Sequence, residues 1–123
     1  MQKQFKRLTK AEEEIMQVLW EKEKAFVKEI ISFLPEPKPA YNTVSTIVRI
    51  LETKGFVSHE QFGKSHRYYP LISKDEYAKF STKKLMQDYF ENSAEKMLSF
   101  FVKEENLDIK ELDEILKKLK QKK

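Results

Sequence analysis

The sequence predicts a mainly α-helical chain with one small β-hairpin. Three observations predict it. Only two glycines and four prolines occur among 123 residues, a composition that favours helices. Apolar residues recur at i, i+3, i+4, i+7 in several blocks, the spacing of one helix face. Once, after Gly55, the pattern changes to short runs with β character.

The elements follow in order. Thr9-Lys10-Ala11-Glu12 has the form of a capping box, a Thr N-cap with Glu three residues on. Ile15, Val18 and Leu19 continue at helical spacing, so a first helix is expected over about 10–22. Trp20, the single tryptophan, is expected to pack against the next helices. Val27, Ile30, Ile31 and Leu34 mark a second helix over 25–34. Three prolines in "PEPKP" end it, because proline lacks the amide hydrogen and clashes with the preceding turn. A third helix follows Tyr41 and runs to about Lys54. Gly55 suits its C′ position, where the backbone turns left-handed.

"FVSHEQFGKSHRYYPL" then reads as two strands around Gly63, which can take positive φ in the turn. Three helices followed by such a hairpin make a winged helix–turn–helix domain, placed at 1–72. Residues 73–123 are helical again. Ser73-Lys74-Asp75-Glu76 is a second capping-box pattern. Tyr77 and Phe80 open a long helix reaching Phe90. Ala94, Met97, Leu98, Phe101 and Val102 form a second stripe. Leu112, Ile115, Leu116 and Leu119 form the last, before the basic tail "KKLKQKK". So much amphipathic helix has no sheet to cover, and a small helical appendage is hard to stabilise alone. A helical dimerisation domain at 73–123, interleaved with a twofold mate, accounts for it. Packing back onto the first domain is the alternative.

Composition narrows the function classes. The chain has no cysteine, which excludes disulfides and thiolate metal sites. No apolar run approaches the roughly 20 residues of a membrane span. The start, "MQKQFKRLTKAEEE", lacks a signal-peptide core, so a cytoplasmic protein without membrane insertion is expected. Net charge is +4. Residues 1–72 hold 12 Lys and Arg against 9 Asp and Glu, and residues 73–123 hold 12 against 11. This mild basic bias permits a polyanion partner. Neither a nucleophile elbow nor a Walker loop nor a Gly-rich dinucleotide turn occurs. The only histidines, His59 and His66, flank the hairpin turn and could face each other across the strands. No cysteine or acidic pair completes a metal site there. No enzyme, cofactor or metal is expected.

The third helix carries the functional signal. Asn42, Thr43, Ser45, Thr46 and Arg49 share one side of it, opposite Val44, Ile47, Val48 and Leu51. In a helix–turn–helix the second helix enters the major groove. There Asn can pair with adenine, Arg with guanine, and Ser or Thr with bases or phosphates. A merely solvated face in this chain would be built from Lys and Glu. Capping explains Asn, Thr and Ser at a helix start, but poorly a full turn inside. Lys64, His66 and Arg67, at or after the hairpin tip, are expected to reach the phosphate backbone, which positions a protein without reading sequence.

"LTKAEEEIMQVLW" at 8–20, "NTVSTIVRILETKGFV" at 42–57, "YYPLISKDEY" at 68–77 and "LSFFVKEENLDIKELDEILKKL" at 98–119 together resemble the penicillinase-repressor family. It comprises repressors of β-lactamase and methicillin-resistance genes and their copper-responsive relatives. The resemblance covers nearly the whole chain. It implies a homodimeric winged-helix repressor of a palindromic operator on double-stranded DNA, with Asn42, Thr43, Ser45, Thr46 and Arg49 on the recognition helix. Copper-responsive members carry a C-terminal cysteine cluster that is absent here. In β-lactam-responsive members a membrane sensor-protease system leads, indirectly, to cleavage of an Asn-Phe bond in the dimerisation helices. The matching bond is Phe100–Phe101, which keeps the second residue but not the Asn. Ser45 stands where some members have a longer basic side chain, which bears on the operator read. A winged-helix protein-interaction module without sequence-specific DNA binding is the competing reading.

Overall fold

The computed structural model describes residues 7–121; residues 1–6 of the first expected domain and 122–123 of the basic tail lie outside them. The elements are α1 (Lys10–Lys22), β1 (Ala25–Phe26), α2 (Val27–Phe33), α3 (Tyr41–Thr53), β2 (Val57–Phe62), β3 (Ser65–Pro70), α4 (Lys74–Tyr89), α5 (Ala94–Glu104) and α6 (Ile109–Gln121). The strands form an antiparallel sheet in the order β1-β3-β2. The chain is mainly α with a small β wing, a winged helix–turn–helix followed by helices. By compactness it divides into Met1–Ser81 and Thr82–Lys123.

Local chemistry sets the element ends. The Glu12 amide donates to Thr9 Oγ1 at 3.2 Å, and the Thr9 amide donates to Glu12 Oε1 at 2.8 Å. Both arms of the expected capping box are therefore made, and two otherwise orphaned amides at the start of α1 are satisfied. Gly55, at φ +84°, reverses the chain after α3. The Phe56 amide then donates to the Leu51 carbonyl at 2.9 Å, and the Phe56 ring drops fully into the core. Gly63, at φ +61°, makes the two-residue turn that pairs Phe62 with Ser65. Ser73 and Glu76 close the second capping box at the start of α4.

Residues 25–34 differ from expectation. Ala25 and Phe26 are a strand, paired with Tyr68 and Arg67 of β3. The helix begins only at Val27, where Glu29 reaches back to accept from the Phe26 amide at 2.8 Å. The pairing is tertiary, supplied by a strand some forty residues away, so periodicity around residue 25 does not reveal it.

The first unit has one core. Ile15, Met16 and Leu19 of α1 meet Ile30 of α2, Val44, Val48 and Leu51 of α3, and Phe56, Val57 and Tyr68 of the sheet. Burying each such side chain contributes about 1.5–3 kcal/mol. Trp20 packs at the edge, its Nε1 donating to the Ile72 carbonyl at 2.8 Å. Glu12 is the one buried charged residue among those described. Its carboxylate takes both its oxygens to Lys54 Nζ, at 2.9 and 2.8 Å. Burial alone would raise this carboxyl. Hydrogen bonds from Lys54 and the Thr9 backbone outweigh burial and hold it below its ordinary value. The start of α1 is thus tied to the end of α3.

Tyr77 and Phe80, expected among the dimerisation residues, lie in this first unit. Tyr77 is buried and its hydroxyl accepts from the Leu8 amide at 3.0 Å. Its ring lies 5.9 Å from Trp20, 5.8 Å from Phe56 and 5.8 Å from Phe80. The opening of α4 completes the winged-helix core, and the compact first unit extends through Ser81.

In the second unit, Asn92 at φ +61° ends the α4 turn, and Ser93 caps α5 by accepting from the Lys96 amide. Phe90 and Phe100 approach to 5.4 Å. Met97, Val102, Leu107 and Leu112 are half-buried, whereas Leu98, Phe100, Phe101, Ile115, Leu116 and Leu119 are exposed. No described residue after Ser81 is buried.

Candidate nucleic-acid interface

Helix α3 sorts its side chains as its periodicity requires. Val44, Val48 and Leu51 are fully buried. Asn42, Thr43, Thr46 and Arg49 are exposed and Ser45 is half-buried. The N-cap of α3 is Ala40, which makes no side-chain cap bond. None of the short polar residues is therefore spent as the N-cap, and the ordinary explanation for their clustering falls away. The first turn carries no acidic residue, unlike α1 with Glu12 and Glu13. The positive end of the helix dipole is left uncompensated by side chains. Arg49 lies along the helix, its Nε donating to the Ser45 carbonyl at 3.3 Å.

The wing stands beside this face. Tyr41, Ser45 and Arg49 of α3, Lys28 of α2, and Lys64 and His66 of the wing line one open cleft. Nothing in the sequence marks Lys28 or Tyr41 for this cleft. Tyr41 directly precedes Asn42, and Lys28 lies on the outward side of a helix whose packing partner the sequence does not state. With Arg49, Lys28 and Lys64 against Glu29, and His66 beside them, the cleft is net positive and attracts anions, and the flanking Ser and aromatic groups add directional and stacking contacts.

Arg67 does not join them. Strand side chains alternate between faces, so His66 and Tyr68 point towards α3 while Arg67 points to the other side. There its Nη2 donates to Glu60 Oε1 at 3.1 Å, and its guanidinium sits 4.7 Å from the centre of the Phe62 ring. Lys24 adds a second bond to Glu60 at 3.3 Å. Hydrogen bonds from Arg67 and Lys24 hold the Glu60 carboxyl below its ordinary value. The expected trio of Lys64, His66 and Arg67 is in this way divided, and Arg67 braces the back of the sheet.

On the α3 side, Glu52 and His59 are 2.8 Å apart, Oε2 to Nδ1. The rings of His59 and His66 stack at 4.2 Å and 10°. Burial pushes the Tyr68 hydroxyl beneath them up, with Glu52 adding to the rise and Arg49 opposing it. Among the described residues no group of three His, Asp or Glu is placed to hold a metal ion. None of their helices is long and apolar enough to cross a membrane.

The family model for the penicillinase repressor matches residues 8–121. The chain belongs to the penicillinase repressor family. Within that family it is similar to the methicillin resistance regulatory protein MecI of Staphylococcus aureus (strain N315), 25% identical over 109 residues, which are 88% of this chain and 89% of that protein. It is likewise similar to the penicillinase repressor of Bacillus licheniformis, 23% identical over 114 residues, 92% of this chain and 89% of that protein. Among solved structures, the DNA-binding domain of the repressor BlaI superposes with a TM-score of 0.53 at 27% identity. That match covers 62% of this chain and 94% of the BlaI domain.

Proposed function

We propose that the chain is a homodimeric winged-helix repressor that binds a palindromic operator and blocks transcription in the cytoplasm. The observation that carries this reading is the outward face of α3. It holds Asn42, Thr43, Thr46 and Arg49 free of capping duty, beside a cleft edged by Lys28, Lys64 and His66. Family membership and the likeness to the BlaI DNA-binding domain support it. Short polar side chains let a helix approach base edges closely, and Arg49 has the reach to pair with guanine. Lys64 and Lys28 act on phosphates.

Dimerisation is assigned to the helices after Ser81, through Met97, Leu98, Phe101, Val102, Leu112, Ile115, Leu116 and Leu119. Two recognition helices on a twofold axis read half-sites about one helical turn apart. The tether makes the second half-site an intramolecular event. Cutting or loosening α5 and α6 therefore lowers operator affinity, and proteolysis there, at or near Phe100–Phe101 inside α5, is the proposed route to derepression.

The test is a gel shift with promoter DNA from the gene's own neighbourhood. Arg49→Ala is expected to weaken specific binding by about 1–3 kcal/mol and to relax one base position. Lys64→Ala is expected to weaken all sequences alike and to reduce the salt slope by about 1. Binding without sequence preference at moderate salt would overturn the repressor reading. Loss of a protein partner with DNA affinity intact in α3 variants would favour an interaction module.

A further inference from the structure

We propose that Glu52, His59 and His66 form a proton-linked clasp that fastens the wing to the recognition helix and makes His66 a cationic phosphate contact only when protonated. The proposal rests on the DNA-binding reading above and adds to it a positioning pair, Glu52 and His59, and a pH response.

The chain contains only two histidines, and they are stacked on each other at 4.2 Å. The register explains how. His59 faces Tyr68 and His66 faces Gln61, so the two rings lie diagonally on the same face of the hairpin, against α3. An ionised carboxylate only accepts, so His59 Nδ1 must donate the hydrogen in the 2.8 Å bond to Glu52. Glu52 belongs to α3, one turn after Arg49. The carboxylate thereby joins wing to recognition helix.

The two rings have unequal surroundings. His59 has Glu52 beside it and Tyr68 at 5.6 Å. His66 has Tyr68 at 6.3 Å and opens into the cleft. The other charged groups there are Lys28 and Glu29 from α2, Arg49 from α3 and Lys64 from the turn, three cations to one anion. Imidazole changes charge between about pH 5 and 8. A proton on His66 adds a further cation to a cleft already lined by Lys28, Arg49 and Lys64, and an anion at its mouth favours that form. A DNA phosphate at the cleft mouth is such an anion. Binding therefore takes up a proton at His66, and lower pH strengthens the grip on the backbone whatever the sequence.

The test uses the full chain and a mixed-sequence DNA duplex at low salt. Between about pH 8 and pH 6 affinity should rise by at most about tenfold per pH unit for each wing, one proton being linked at each, and the salt slope should steepen by about 0.9 per wing. His66→Gln should abolish both changes. Glu52→Gln should weaken duplex binding at every pH by loosening the wing from α3, and leave the pH response in place. Heats of binding in two buffers of different ionisation enthalpy should register proton uptake by the unaltered chain near pH 6, which keeps the test independent of variant folding. Duplex binding that is flat with pH, zero proton uptake, or a full rise retained in His66→Gln would overturn the clasp. Absence of duplex binding at every pH would overturn the DNA-binding reading along with it.

Discussion

Leu19 and Leu116 occupy similar places on amphipathic helices, and the chain treats them differently. Leu19 of α1 is fully buried, whereas Leu116 of α6 is 47% exposed. The same contrast holds across their units. The first unit closes a core drawn from α1, α2, α3, the sheet and the opening of α4. The second has stripes just as regular and not one described residue buried. Periodicity thus records that a face is apolar, and says nothing about which surface covers it. The first unit finds its cover within the chain. For the second, a further copy is the cover that the repressor reading supplies.

The contrast can be broken most forcefully at those two leucines. Leu19→Ala should cost about 2–5 kcal/mol by the loss of transfer energy and the cavity left behind. Chemical denaturation followed by the fluorescence of Trp20, at the core's edge, would measure it. Leu116→Ala should instead leave the first unit's unfolding almost unchanged and weaken self-association in sedimentation. Equal losses of first-unit stability would erase the distinction between the units.

Next in size is Lys54→Met. It strands the buried Glu12 carboxylate without its cation. A fully buried broken pair costs about 3–5 kcal/mol. Because Lys54 keeps some exposure, about 2–3 kcal/mol is expected by denaturation. The same pair predicts an acid response. The folded-state value of Glu12 lies below the unfolded one, so its contribution is present above the ordinary value of 4.5. It is lost as pH falls below that value and through the lower folded one. Melting temperature against pH should show the loss in the first unit, and Lys54→Met should flatten it. The smallest effect expected is that of Tyr77→Phe, about 1 kcal/mol for the bond to the Leu8 amide. A chain ending at residue 72 should lose far more, since it lacks the whole ring. One ending at residue 81 should melt as the first unit does.

Much of this is legible in the sequence, and what is not has a common cause. Thr9 and Glu12 state the start of α1, and Gly55 states the end of α3, because caps are local chemistry. The polar and apolar faces of α3 follow from spacing alone. β1 was hidden because Ala25 and Phe26 become a strand only by meeting β3. Arg67 and His66 are neighbours in sequence, but a strand sends them to opposite faces, which the run of basic residues does not show. Tyr77 and Phe80 open an apolar stripe on α4, and a helix stripe does not name its partner. In each case the missing fact is a tertiary contact.

Glu12 carries one consequence for how this molecule can change. A single carboxylate both caps α1 and anchors Lys54, 42 positions away. A local signal and a long-range one therefore share an atom group and cannot drift apart independently. Most replacements at residue 12 abolish both together. Glutamine is the exception, since a capping box accepts it while the ionic tie does not. Any lineage that loosens the anchorage of α3 without unravelling α1 has a narrow door to pass through, and this side chain is its hinge.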